Sequence, residues 1–248
     1  MNKERRLILK GLGSCLVLAS TGLLAPVVYG EETIKPKTLI CPIHYLHEVN
    51  DRTSFEYYIA GLINNNYFPV ALRDIADYFN DNIQVWSEDK DPIAITFDDG
   101  LLSQLKNAVP ILEKWRLRAT FPVMTDYADG VHDYMEHQQL KEISDQGMEV
   151  AAHGLDMHQS LPILYNQNRV AWKRNIVDVK TRLEEIIEKE VVSFAYPNGS
   201  YDQRTMDLVY ASGYKIAVRT GGNYPELSSS TIFELPRVSV PLYMSISA

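Results

Sequence analysis

The sequence predicts an α/β fold: a closed or partly closed barrel of parallel strands in a single domain. Apolar, β-rich runs alternate with stretches of helical periodicity from about residue 38 to residue 240, and no internal repeat interrupts them. The 248 residues are 46% hydrophobic, which fills one proper core and suits a barrel better than a small open sheet. Polar residues gather where the apolar runs stop, and parallel sheets place their chemistry at the carboxyl ends of strands.

Thr38–Ile43 reads as the first strand and leads into a polar loop carrying His44 and His47. Phe55, Tyr58, Ile59 and Leu62 recur at helical spacing, predicting a helix over 54–65 with Ser54 as its N-cap. A second short helix covers 72–79, and a polar connection at 87–92 leads to the central strand. That strand, Ile93–Phe97, stops on Asp98-Asp99-Gly100, whose Asp-Gly pair also marks a turn. Apolar positions from Leu101 to Trp115 predict a helix ending at Leu117, bent or interrupted at Pro110. Ala119–Met124 is a strand, Met135–Gly147 a helix stopped by Gly147, and Met148–Ala152 a strand ending at His153. Val170–Lys189 forms the longest helix, with a charged outer side. Val191–Tyr196 is the next strand, 197–201 a turn, Thr205–Ser212 a helix capped by Gly213, and Lys215–Val218 a strand. Ile232–Val240 closes the chain with β character.

The first thirty residues differ in kind. A charged start, Glu4 to Lys10, precedes an uncharged run from Gly11 to Tyr29, with Val28 and Gly30 small enough for a peptidase site before Glu31. Arg5-Arg6-x-Ile8-Leu9-Lys10 resembles a twin-arginine export signal. Residues 1–30 therefore read as an export signal and 31–248 as the working domain, destined for the periplasm or cell surface. The membrane enters only through this segment, should it remain uncleaved. Without residues 1–30 the formal charge falls from −8 to about −11, which excludes binding of nucleic acid by phosphate neutralisation. Cys15 lies in the signal, so Cys41 remains alone and no internal disulfide forms.

Three strand ends present polar groups: Asp98 and Asp99, then His153 with His158, then Tyr196-Pro197-Asn198. Two histidines and a carboxylate are a common set for a divalent metal with open coordination positions. On a regular helix, His153 and His158 would stand about 140° apart, so both reach one metal only from a loop, which Gly154 favours.

Thr96-Phe97-Asp98-Asp99-Gly100 resembles the first motif of the polysaccharide deacetylases, carbohydrate esterase family 4. The match continues through Ala108–Leu112, Ala119–Phe121, Gln139-Leu140, Gly147–Glu149, Phe194–Asp202 and Ser212–Tyr214, covering roughly residues 38 to 240. The resemblance implies the distorted (β/α) barrel of that family. It implies Asp98 as general base, and Asp99, His153 and His158 as ligands of a divalent metal, Zn²⁺ first with Co²⁺ or Ni²⁺ as alternatives. The histidines are five apart rather than the usual four, which looks like the biofilm poly-N-acetylglucosamine deacetylases. Those take their general acid from a histidine near the start of the domain. Tyr45–Val49 is similar to that motif and implies His47, with His44 as the alternative.

The third motif departs from the family pattern. Its usual Arg, which steadies the base, is replaced by Ala195, followed by Pro197 and Asn198. Arg237, in Leu235-Pro236-Arg237-Val238, is the candidate replacement. Tyr196, Asn198 and Arg237 make up the expected substrate-facing set, with Tyr196 placed to stack on a sugar and the Asn198 N–H to hold an oxyanion. The implied activity is metal-dependent removal of acetyl groups from N-acetylglucosamine units of an extracellular or envelope polysaccharide. Deacetylation of peptidoglycan, hydrolysis of a small amide and a non-catalytic carbohydrate-binding role are the alternatives. The sequence leaves the oligomeric state open.

Overall fold

Seven parallel strands close into a ring, because one strand finds two neighbours along the same edge. A computed structural model describes residues 38–155, 159–222 and 226–241; the export segment 1–30 and His158 lie outside them. The strands are β1 (Thr38–Ile40), β2 (Ile43–Leu46), β3 (Tyr67–Val70), β4 (Asp91–Phe97), β5 (Thr120–Val123), β6 (Glu149–Ala152), β7 (Ser193–Ala195), β8 (Ile216–Thr220), β9 (Glu226–Ser228) and β10 (Leu235–Ser239). The ring runs β2-β10-β8-β7-β6-β5-β4 and returns to β2. Closure happens on β4, where β3 takes the first half (Tyr67 opposite Asp91, Val70 opposite Ala94) and β2 takes the second (Ile43 opposite Ala94, Leu46 opposite Phe97). All of these pairings are parallel, so the strands carry their carboxyl ends to one mouth. The expected parallel (β/α) barrel is therefore the fold.

The helices are α1 (Arg52–Asn64), α2 (Leu72–Asp81), α3 (Val109–Trp115), α4 (His137–Asp145), α5 (Leu161–Gln167), α6 (Arg169–Arg174), α7 (Val177–Ile187) and α8 (Gln203–Ala211). Period two along each strand sorts the core into two parts. Ile93, Ile95, Phe97, Phe121, Val123, Val150, Ala152 and Phe194 face outward and are buried beneath the helices. Ile43, Ala94, Ala195, Ile216, Val218 and Leu235 fall on the opposite face, in a second buried cluster. Below them Glu149 accepts from Thr120 Oγ1 (2.7 Å) and Ser193 Oγ (2.5 Å), all three buried.

Several boundaries depart from sequence expectation, each for a local reason. The first strand is two: Pro42 has no N–H to give a ladder, its carbonyl accepts from Ala94 N (2.9 Å), and β1 leaves to pair antiparallel with β9. Asp51, not Ser54, caps α1, its carboxylate accepting from Thr53 N (3.1 Å) and Ser54 N (2.9 Å). The helix after Asp99 is interrupted before Pro110, by a π turn over Gln104–Ala108, and Pro110 sits in the first turn of α3, where no N–H is needed. The long helix expected over 170–189 is broken at Asn175, between α6 and α7. β3, β9 and α5 were not anticipated.

Candidate active site

Asp98 ends β4 inside the barrel mouth, 2% exposed, and Arg237 of β10 reaches it from within the ring. Both nitrogens of the guanidinium fork engage the carboxylate, Nη1 to Oδ1 at 2.6 Å and Nη2 to Oδ2 at 2.7 Å, and Nη1 also donates to Thr96 Oγ1 (2.9 Å). Arg237 is fully buried, and its guanidinium lies 4.9 Å from the centre of the Tyr45 ring. Burial alone would push the Asp98 carboxyl up. The charge of Arg237, then that of His153, the Arg237 hydrogen bonds and the charge of His47 outweigh it and hold Asp98 below its ordinary value. Arg237 thus occupies the place of the arginine that Ala195 lacks. Fully buried and spent on Asp98, it has no face for substrate, which corrects its inclusion in the substrate-facing set.

Asp99 follows with φ at +78°, a left-handed turn that directs its side chain differently from that of Asp98. Its Oδ1 lies 3.6 Å from His153 Nε2, and Asp98 Oδ2 is 4.0 Å from the same nitrogen. His153, at the end of β6, is 3% exposed, and its Nδ1 is 2.8 Å from the Ala195 carbonyl. A carbonyl only accepts, so Nδ1 carries the proton and Nε2 presents a lone pair to the carboxylates. Burial pushes the imidazole pKa down, against the pull of Asp98 and Asp99, and so favours this neutral form.

A carboxylate oxygen and a neutral imidazole nitrogen are apt donors for a divalent cation. Two ligands about 2.0–2.1 Å from one tetrahedral zinc stand about 3.3 Å apart, close to the separation seen here. The carbonyl on Nδ1 also fixes the tautomer that metal-binding histidines use. The residues fit such an ion. Among the described residues no three His, Cys, Asp or Glu side chains converge as a metal cluster, and the third expected ligand, His158, lies outside them.

His47 begins the loop after β2, exposed, and lines a cleft of about 600 Å³ with Asp99, Leu101, Tyr134 and Ser239. Its ring stands edge-on to Tyr45, centroids 5.7 Å apart. His44 is set differently: it is buried, its Nδ1 lies 2.7 Å from the Tyr58 hydroxyl of α1, and burial lowers its pKa to about 4. His44 is thus held against α1, and of the two histidines it is His47 that lines the cleft with Asp99.

Tyr196 was expected to face a sugar; the structure gives it to the core instead. Ala195 points inward, so Tyr196 points outward. Its ring has no exposed surface, stacks on Tyr201 at 4.9 Å, and its hydroxyl donates to the Phe233 carbonyl (2.9 Å). Asn198 sits in the turn after β7, exposed, with φ at +55° and its carbonyl accepting from Thr220 Oγ1 (3.3 Å). Sequence reasoning missed Gln104, a fully buried amide whose Nε2 donates to the carbonyls of both Asp98 and His47. The available signal was its position four, seven and eight residues before Ala108, Ile111 and Leu112, a polar side chain on an otherwise buried apolar stripe.

The closed parallel barrel thus carries at its mouth an arginine-held carboxylate beside a histidine–carboxylate pair, a set suited to proton transfer and to holding a cation. Residues 87–217, just over half of the chain, match the family model for polysaccharide deacetylases, and the chain belongs to the polysaccharide deacetylase family. It is 26% identical over 228 residues to YxkH of Bacillus subtilis (strain 168), covering 88% of this chain and 76% of that one. Among solved structures it resembles the Streptococcus pyogenes deacetylase PplD in complex with acetate, with a TM-score of 0.72 at 20% identity over 85% of this chain and 96% of the other. IcaB from Ammonifex degensii gives a TM-score of 0.71 at 20% identity, covering 81% of this chain and 91% of that one. At these identities the structural likenesses speak to the fold.

Proposed function

We propose that the protein is a metal-dependent N-deacetylase acting on N-acetylglucosamine units of an envelope or extracellular polysaccharide of the poly-N-acetylglucosamine kind. The observation that carries this reading is the Asp98 carboxylate, held ionised by Arg237 and set 4.0 Å from His153 Nε2 beside Asp99. A divalent ion held by Asp99, His153 and His158 would activate water and polarise the acetamide carbonyl. Asp98 then accepts the proton of the attacking water. His47, open to the cleft, donates a proton to the departing amine, releasing acetate and a glucosamine unit. The Asn198 backbone N–H is the candidate donor to the developing oxyanion.

Residues 1–30 are assigned as a twin-arginine-like export signal, delivering the domain to the periplasm or cell surface. Replacing Arg5 and Arg6 by Lys should then retain the precursor inside the cell. Export at the wild-type level would remove the twin-arginine assignment.

Acetate release decides the enzymatic reading. Poly-β-1,6-N-acetylglucosamine and chitooligosaccharides would each be offered to metal-depleted protein, before and after adding Zn²⁺, Co²⁺ or Ni²⁺. Metal-restored release that Asp98→Asn abolishes and His47→Ala strongly reduces is expected, and the better substrate names the glycan. Failure on both, with metal bound, would turn the reading toward peptidoglycan or a small amide. Failure to bind metal would leave a carbohydrate-binding role.

A further inference from the structure

The ladder between β2 and β4 ends at Leu46 opposite Phe97. One rung further would bring His47 opposite Asp98, the acid and the base of the reading above, but the backbones part there as Asp99 turns to φ +78°. Gln104 stands in that gap. Its Nε2 donates to the His47 carbonyl (2.9 Å) and the Asp98 carbonyl (2.6 Å), and its Oε1 accepts from Leu101 N (3.1 Å). One buried amide thus adds a rung where the ladder stops and ties the two strand-end loops together.

The segment carrying Gln104 is built for this. It is a π turn, in which Val109 N–H reaches back five residues to the Gln104 carbonyl, and such insertions gather at functional sites. The same turn grips the rest of the His47 loop. Ser103 Oγ accepts from Val49 N (3.3 Å), Asn107 Nδ2 donates to the Val49 carbonyl (2.7 Å), and Arg52 Nη2 donates to the Lys106 carbonyl (2.6 Å). Asp98 is independently fixed by the Arg237 fork, whereas among the described residues the exposed His47 side chain has no comparable anchor.

We propose that Gln104 is a positioning residue that sets His47 against Asp98 so that the proton reaches the leaving amine. The inference rests on the deacetylase reading. Because Asp98 stays on Arg237, losing Gln104 should loosen the acid and spare the base. The two can be separated by leaving group. An acetylated amine needs a proton as its C–N bond breaks, whereas p-nitrophenyl acetate releases a stable phenolate and needs none.

Gln104→Met preserves the side-chain volume and removes both donors. Against N-acetylglucosamine oligomers it should lower kcat by about ten- to a hundredfold, with KM within about twofold, while p-nitrophenyl acetate hydrolysis changes less than about threefold. Hydrogen exchange should quicken at the amides of residues 47–51 and stay at the wild-type level in β5 to β8. Equal losses on both substrates would mean a purely structural role and overturn the proposal, as would no loss on either. If Gln104→Met does not fold, Asn107→Ala decides in its place: a selective loss on the glycan supports the proposal, and an even loss or none overturns it. A wild-type protein inactive on the oligomers would sink the deacetylase reading and this proposal together. An active wild type with an equally active Gln104→Met would sink this proposal alone.

Discussion

Arg237→Met tests the electrostatics of the site without recourse to substrate. The wild-type pair is fully buried, bidentate and supplemented by Thr96, so the substitution leaves the Asp98 carboxylate desolvated without its main counter-charge. Removing one partner of a buried pair costs about 3–5 kcal/mol, because the other charge is left behind. For a domain of this size each kcal/mol moves the melting temperature by about 2–4 °C, so a fall of about 6–20 °C is expected. Its pH dependence has a definite sign. In the wild type Asp98 is held below its unfolded value, so its contribution is present above that value and is lost as pH falls through the depressed folded one. In the variant, burial acts without the opposing arginine, and the carboxyl moves up. The deficit against wild type should therefore be greatest near neutrality and shrink toward acid pH, where protonation removes the stranded charge. Melts of metal-stripped protein from pH 4 to pH 8 read this directly. A loss below about 2 °C, or one that does not change with pH, would refute the account of Arg237 as the counter-charge to Asp98. Arg237→Lys, which keeps the charge and loses the fork, should fall between the two.

Glu149 carries the opposite sign. Burial raises its carboxyl above the usual range, against hydrogen bonds from Ser193, the Arg73 amide and Thr120, so stability should fall as pH rises from the ordinary carboxylate range through the folded value. Glu149→Gln can still accept from Thr120 and the Arg73 N–H while donating to Ser193; its melts at pH 7 should equal or exceed wild type and lose that slope. Gly199→Ala meets a φ of +64° and would set its Cβ 2.0 Å from Thr220 Oγ1 and 2.6 Å from Thr220 N, so denaturant titration should show a loss of at least about 1–3 kcal/mol. Gly61→Ala in α1, with open space around the new Cβ, should instead gain about 0.5–1 kcal/mol in the same titration. Asn175→Ala removes the acceptor for Leu155 N (2.9 Å) and, on the proposed ligand role of His153 and His158, should weaken zinc binding by calorimetry about 10–100-fold.

The carboxylate pair and His153 were legible because strand ends are marked in sequence by the change from apolar to polar, and the parallel fold turns those ends to one mouth. Which way a side chain points is harder to read. β7 is three residues long, and with period two a single-residue difference exchanges the inner and outer faces. Tyr196 was therefore correctly placed along the chain and assigned to the wrong side, while Arg237, expected as the replacement for the missing arginine, does face inward onto Asp98 and so leaves the substrate-facing set. Of the helix interruptions, the first was announced by Pro110, whereas residues 169–187 have acceptable helical composition, so propensity and apolar spacing run straight through the second. At each interruption an amide side chain makes a tertiary bond. Gln104 binds two strand-end carbonyls from a π turn, and Asn175 accepts from Leu155 N while its Nδ2 donates to the Ala171 carbonyl at the break between α6 and α7. Each irregularity gives up regular helical geometry where an amide fixes a loop of the candidate site. A buried amide on an apolar stripe, next to a strand that ends on a carboxylate or histidine, is thus the readable trace of such a tie. Apolar periodicity alone passes over it because it counts only what is excluded from water.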